Sequence, residues 1–284
     1  MQVTHQYVNI DGHQLHRIIM DPPENVETRM VCLFTHGQGD YSERYIDVLH
    51  PFTQRGIRCI STDLLGHGES SGKRGHCGDL EFTDLIIQDH LKLVDSLPYG
   101  IAAHSMGGLL TLRHLALALE NKLPMPEFCW VNAPLIDPIQ KRPAWFITLI
   151  KWFSKLVPKV TIKTGATSAL CRHQDSDSKP KKKDPKSLGH QRVSIGWGVA
   201  LLEAANYIQS ILSQTPSDIP FLLTQGDEDY ICPHRIAEEF FETLTLSQKK
   251  FILFPGMRHE TFAEPNNHEL FEALDQWLDQ TVLA

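Results

Sequence analysis

The five residues Ala103-His104-Ser105-Met106-Gly107 constrain this chain more than any other stretch, because they set a serine where a strand turns sharply into a helix. Tyr99-Gly100-Ile101-Ala102 before them is short and apolar, and Gly107-Gly108-Leu109-Leu110-Thr111-Leu112 opens a helix after them. A serine on such a turn has its Oγ pushed out of the backbone, and the helix N-terminus beneath it stabilises negative charge. Small residues on both flanks let the strand and helix backbones approach. The pattern G-x-S-x-G is met with one change: Ala103 stands for the first glycine, and alanine is still small. A serine between small residues also arises by chance, so the motif gains meaning only with a base, an acid and an oxyanion hole.

All three have candidates at the ends of apolar strands. Phe251-Ile252-Leu253-Phe254 reads as a buried strand, and the loop after it, Pro255 to Glu260, carries His259. Phe221-Leu222-Leu223-Thr224 is another buried strand, ending in Gln225-Gly226-Asp227-Glu228-Asp229. A carboxylate there can fix the histidine tautomer and stabilise the imidazolium. Asp227 and Asp229 both qualify; the G-x-x-D spacing from Gly226, followed by Tyr230-Ile231-Cys232-Pro233, fits Asp229 better. The strand Val31-Cys32-Leu33-Phe34 runs into His36-Gly37-Gln38-Gly39, whose glycines admit close approach to a substrate carbonyl. The backbone N–H groups of Gln38 and Met106 are the expected oxyanion donors. His36, and His67 within Asp63 to Ser70, read as structural hydrogen-bonders, and His104 as packing that points away from its neighbour Ser105.

The segments His36 to Gly39, Asp63 to Ser70, His104 to Gly108, Gly226 to Asp229 and Pro255 to Glu260 together resemble the monoacylglycerol lipase and lysophospholipase branch of the α/β-hydrolases, which are serine hydrolases. Ser42-Glu43-Arg44-Tyr45, Ser71 to His76 and Asp184-Pro185 add to the resemblance, which runs from about residue 10 to about residue 275. It implies that Ser105, Asp229 and His259 are the catalytic triad, without metal or cofactor. The cysteine often found three residues after the acid in that family is matched by Cys232. The chain departs from the family at Ala103 and in a polar stretch from about 171 to 192.

Strand-like runs near 30–35, 58–62, 100–104, 127–132, 220–224 and 250–254 alternate with helical stretches such as Phe82 to Leu97, Met106 to Leu119 and Asn266 to Leu278. Asp11-Gly12 between two β-rich runs signals a hairpin. The alternation predicts an α/β fold, with a mostly parallel, eight-stranded sheet flanked by helices. About 85 residues between Val131 and Phe221 lack a sheet pattern, which is too long for a connection and reads as an inserted helical cap. The expected division is therefore 1–134 and 216–284 for the core and 135–215 for the cap.

The cap carries a helix around Trp145, Phe146, Trp152 and Phe153 that is apolar nearly all round and suits an acyl chain or a membrane surface. Residues 141–190 hold twelve Lys and Arg against three acids, a balance of +9 on a chain whose total is −7. The densest run is Lys179 to Lys186. A basic, aromatic cap on an acidic body suits peripheral contact with anionic membrane, whereas the acidic body would repel nucleic acid. The N-terminus shows no basic, apolar leader and no apolar run approaches the ~20 residues of a membrane span, so a cytoplasmic protein is expected. Cys32, Cys59 and Cys129 fall in buried strands, Cys77, Cys171 and Cys232 in loops, and the fifteen histidines show no zinc-type spacing.

The expected substrate is therefore an ester with one fatty acyl chain and a polar head, monoacylglycerol or lysophospholipid, with the basic cap tilting toward a phosphate. Short-chain carboxylesterase, thioesterase or peptidase activity on the same triad is the nearest alternative. Epoxide opening or dehalogenation needs a carboxylate nucleophile, which Ser105 is not. A silent fold that binds a lipid or a partner belongs to another class and predicts no turnover.

Overall fold

The computed structural model describes residues 1–139, 143–173 and 188–284, and the Lys179 to Lys186 run lies outside them. The chain begins with a hairpin of β1 (Gln2–Ile10) and β2 (His13–Asp21), paired antiparallel from Ile10↔His13 outward. Asp11 and Gly12 take φ of 48° and 78° at its turn. Two successive left-handed residues match the twist of the flanking strands, which explains why the Asp-Gly pair marks this hairpin.

The main sheet adds β3 (Met30–Thr35), β4 (Ile57–Thr62), β5 (Tyr99–His104), β6 (Cys129–Asn132), β9 (Phe221–Gly226) and β10 (Lys249–Phe254). Its eight strands run in the order β1-β2-β4-β3-β5-β6-β9-β10, with β1, β2 and β4 joined antiparallel and the remainder parallel. Parallel strands need crossovers, and helices supply them. α1 (His50–Thr53), α2 (Leu80–Val94) and α3 (Met106–Leu119) alternate with the early strands, while α7 (His234–Thr243) and α8 (His268–Trp277) flank β10.

The period of two along each strand creates two cores. Val31, Leu33, Ile101, Val131 and Leu223 face one side, against Phe82 and Ile86 of α2 and Leu109 and Leu112 of α3. Cys32, Phe34, Ala102, Trp130 and Leu222 face the other, against Phe52 of α1 and Leu270, Leu274 and Trp277 of α8. Every residue of β5 and β9 is buried, so both strands read as unbroken apolar runs rather than alternating ones. Trp130 satisfies its indole through a 3.0 Å bond to Thr224 Oγ1.

The excursion between β6 and β9 contains α4 (Ala144–Leu156), β7 (Thr161–Lys163), α5 (Ser168–Cys171), β8 (Arg192–Ser194) and α6 (Ile195–Leu212). Here the structure corrects the purely helical expectation, because β7 and β8 pair antiparallel across Ile162↔Val193. Each is three residues long, too short to leave a periodic signature. α6 returns to the body: Trp197, Leu201 and Ile208 share the core of α3. α4 packs on α6 yet leaves Trp145 69%, Trp152 57% and Leu156 62% exposed. Among the described residues no helix is long and apolar enough to cross a membrane.

Candidate active site

Ser105 sits between β5 and α3 with φ 56° and ψ −122°, a conformation that non-glycine residues rarely adopt. Such strain costs about 1–3 kcal/mol and persists only where the surroundings impose it. Here they do. Ser105 N donates to Asn132 O of β6, and its carbonyl accepts from Gly108 N and Leu135 N. A Cβ on Gly107 would lie 2.1 Å from the carbonyl oxygen of Thr35, so α3 can begin this close to the β3 loop only with glycine there. Ala103, by contrast, sits buried within β5 opposite Thr35 and Val131, away from the sharp turn, and its methyl is accommodated.

The loops after β5, β9 and β10 bring the three expected residues into one hydrogen-bonded chain. Ser105 Oγ lies 2.9 Å from His259 Nε2, and His259 Nδ1 lies 2.7 Å from Asp229 Oδ2. Asp229 is itself held: Oδ1 accepts from Ile231 N and Cys232 N, both at 2.8 Å, and Oδ2 from Gln225 Nε2 at 2.7 Å. Burial disfavours a charged His259, but Asp229, with Glu260 and Asp40 behind it, outweighs that and raises its pKa above the ordinary histidine value. A base of this kind holds its proton strongly enough to take one from a serine.

Asp227, the alternative acid, is engaged elsewhere. Its Oδ1 accepts from Gly256 N at 2.7 Å and its carbonyl from His234 Nδ1 at 2.9 Å, so it joins the β9 and β10 loops.

The β3 loop lies against the serine, since a Cβ on Gly37 would come within 3.2 Å of Ser105 Cβ. Among the described residues no hydrogen bond engages the backbone N–H of Gln38 or of Met106. His36 is the strut of this loop: Nδ1 donates to Gly37 O at 2.8 Å and Nε2 accepts from Leu64 N at 2.9 Å. His67 donates to Leu65 O in a neighbouring buried turn. Both match their structural reading.

His104 packs, as expected, but it packs against the base. Its ring packs 4.7 Å from that of His259, with Phe262 edge-on at 5.1 Å. Three further residues left no mark in the sequence. Gln225 braces the acid, and Glu260, next to His259, is gripped by Arg44 and by Arg172 of the excursion. Trp197 reaches Gln38 and Met106.

Asp229, Cys232 and His259 place potential metal donors within 4.8 Å of one another. Both nitrogens of His259 are already committed, Nδ1–H to Asp229 and the Nε2 lone pair to the Ser105 hydroxyl, which leaves no lone pair for a metal. Burial pushes the Cys232 thiol well above its usual range, so it stays protonated beside Ser105 and is a poor nucleophile. The cap candidates Trp145, Trp152 and Phe153 are exposed and Phe146 is half-buried, so the first three face outward.

Comparisons with known proteins agree with this architecture. An abhydrolase domain-containing protein of Dictyostelium discoideum is 28% identical over 87% of this chain, which spans 26% of that longer protein. A monoacylglycerol lipase of Mycolicibacterium smegmatis is 23% identical, with 96% of each chain covered. The crystal structure of a monoacylglycerol lipase from Paleococcus ferrophilus superposes with a TM-score of 0.77 at 25% identity, covering 93% of this chain and 98% of that one. Residues 26–266 match the family Hydrolase_4, described as serine aminopeptidase, S33. The chain belongs to that family and is a hydrolase of the α/β-hydrolase fold.

Proposed function

We propose that this hydrolase cleaves the ester bond of single-acyl-chain lipids, monoacylglycerol foremost, through an acyl-enzyme on Ser105. The continuous Asp229–His259–Ser105 hydrogen-bond chain carries the reading. His259 takes the Ser105 proton as Oγ attacks the acyl carbonyl. The oxyanion falls to the N–H groups of Gln38 and Met106, each worth about 3–4 kcal/mol in comparable sites. His259 then returns the proton to the departing alcohol, and water repeats the sequence on the acyl-enzyme. Monoacylglycerol is preferred because relatives of matching length bear that activity in their names.

The exposed face of α4 supports delivery from a lipid surface. Trp145, Leu149, Trp152, Phe153 and Leu156 stand out of the fold, with Lys151 and Lys155 on the same helix. Such a helix lies in the interface plane of an anionic bilayer.

Fatty-acid release from a monoacylglycerol and a lysophospholipid of equal chain length, beside Ser105→Ala, tests the reading. Release that vanishes in the variant and favours monoacylglycerol is expected. Faster release from lysophospholipid moves the head group to a phosphate. Turnover of short esters alone makes the protein a carboxylesterase, and a folded protein without turnover makes it a binding module.

A further inference from the structure

The two oxyanion donors come from different places in the chain, Gln38 after β3 and Met106 after β5, yet their side chains meet at one atom. Trp197 Nε1 lies 3.1 Å from Gln38 Oε1 and 3.2 Å from Met106 Sδ. A buried indole N–H must find an acceptor, and any nearby carbonyl would serve. Here both acceptors belong to the residues whose amides face the oxyanion.

Trp197 is fully buried and cannot swing away. It sits in the first turn of α6, which is pinned by Ser194 Oγ accepting from Trp197 N at 3.2 Å. The segment just before it grips the same loop. Gln38 Nε2 donates to Arg192 O at 2.7 Å, and His190 N donates to Gly39 O at 2.8 Å. The fit is tight enough that a Cβ on Gly39 would lie 1.9 Å from the His190 carbonyl oxygen. Both ends of the Gln38 amide are thus held by the returning arm of the excursion.

We propose that Trp197 is a positioning residue for the oxyanion hole, fixing Gln38 and Met106 in register with each other and tying that register to the seat of the excursion. This rests on the reading of Ser105 as nucleophile with Gln38 and Met106 as donors. An oxyanion hole works only when its donors are held in advance at hydrogen-bond distance from the developing charge. Loss of the clasp leaves substrate binding intact and weakens the transition state, which lowers kcat without raising KM.

Trp197→Phe keeps a large ring and removes the N–H, Gln38→Leu removes the acceptor, and the double variant closes the cycle. Each is assayed with a soluble p-nitrophenyl ester and by the rate of covalent labelling with a fluorophosphonate, whose P=O oxygen enters the same hole. Either single change is expected to lower kcat and the labelling rate together by about tenfold or more, a part of the 10²–10³ lost with a whole donor. KM should stay within about twofold. The double variant should lose clearly less than the product of the two single losses, because the Trp197–Gln38 contact is shared while the Met106 and Arg192 contacts are each lost once. Wild-type rates in either single variant overturn the proposal, as do multiplicative losses in the double. If Trp197→Phe fails to fold, Gln38→Leu is set beside Gln38→Glu at this half-buried side chain, since glutamate loses the bond to Arg192 O but keeps an acceptor for Trp197. Near-wild-type rates in Gln38→Glu with a loss in Gln38→Leu are expected, and equal losses overturn the proposal. A wild-type protein that resists the fluorophosphonate would defeat the hydrolase mechanism itself, a result separable from equal labelling of wild type and variants.

Discussion

The rings of His104 and His259 lie 4.7 Å apart, and only one of them takes a proton. His104 is fully enclosed; burial first, then the neighbouring His259 and Arg44, drives its pKa well below the ordinary value. His259 has Asp229 on its far side and is shifted the other way. The pair therefore divides into an uncharged aromatic support and a titrating base.

The pH dependence follows with a definite sign. His259 must be neutral to accept the Ser105 proton, so kcat/KM should climb with pH through a midpoint above the free-histidine value of about 6.5. The limb should fit one proton, and His104→Phe should leave its midpoint in place; a two-proton limb or a displaced midpoint would show that His104 titrates too. Stability runs the opposite way. A raised folded-state pKa contributes stability that is complete below the unfolded value and is lost as pH rises through the folded one.

The two aspartates of the β9 loop should separate cleanly. Asp229→Ala removes the partner of His259 and should lower kcat about 10⁴-fold. Asp227→Ala frees Gly256 N from its acceptor and should cost about 1 kcal/mol of stability, with kcat within a few-fold of wild type. Thermal melts and steady-state rates on both variants settle the assignment, and a reversal of the two kcat losses would make Asp227 the acid.

Ser105→Gly should be inactive yet more stable. The left-handed φ of 56° is strained for serine and free for glycine, while glycine's extra unfolded-state entropy returns part of the gain. A net gain of about 1 kcal/mol corresponds to a melting point about 2 °C higher in a chain of 284 residues. An unchanged or lower melting temperature would mean that the strain relieved is no larger than glycine's entropy and the lost bond to His259 together.

Much of this site is legible from residues alone because strand ends place chemistry. Asp11-Gly12 dictates its turn through φ, and Ser105, Asp229 and His259 each follow an apolar run that forms a strand. That strand is fully buried in β5 and β9 but, against the expectation of a buried strand, only partly covered in β10, which is the sheet edge and leaves Leu253 exposed. What stayed hidden depends on which loops land together. Alternation along β5 sends His104 toward Tyr45 and Phe262, but only the path of the β10 loop brings His259 over the same edge. Trp197 meets Gln38 across 159 positions, and β7 finds β8 about thirty residues away; no local pattern encodes either contact. The helical character of α4 was plain from its apolar run, whereas its outward face could be known only once α6 had taken the inner side.

That outward face yields the last expectation. Trp152 and Phe153 are 57% and 42% exposed and form an edge-on ring pair at 5.1 Å, which leaves much of both rings facing solvent. Burying a large apolar side chain gains about 1.5–3 kcal/mol, so Trp152→Ser with Phe153→Ser should weaken binding to phosphatidylserine-containing vesicles by more than tenfold. Hydrolysis of a soluble p-nitrophenyl ester should not change if these exposed side chains act at the lipid surface alone. Salt separates the two contributions, since screening weakens the lysine attraction and leaves the apolar part. Vesicle binding that survives the double substitution, or a matching loss on the soluble ester, would return these aromatics to a purely structural role.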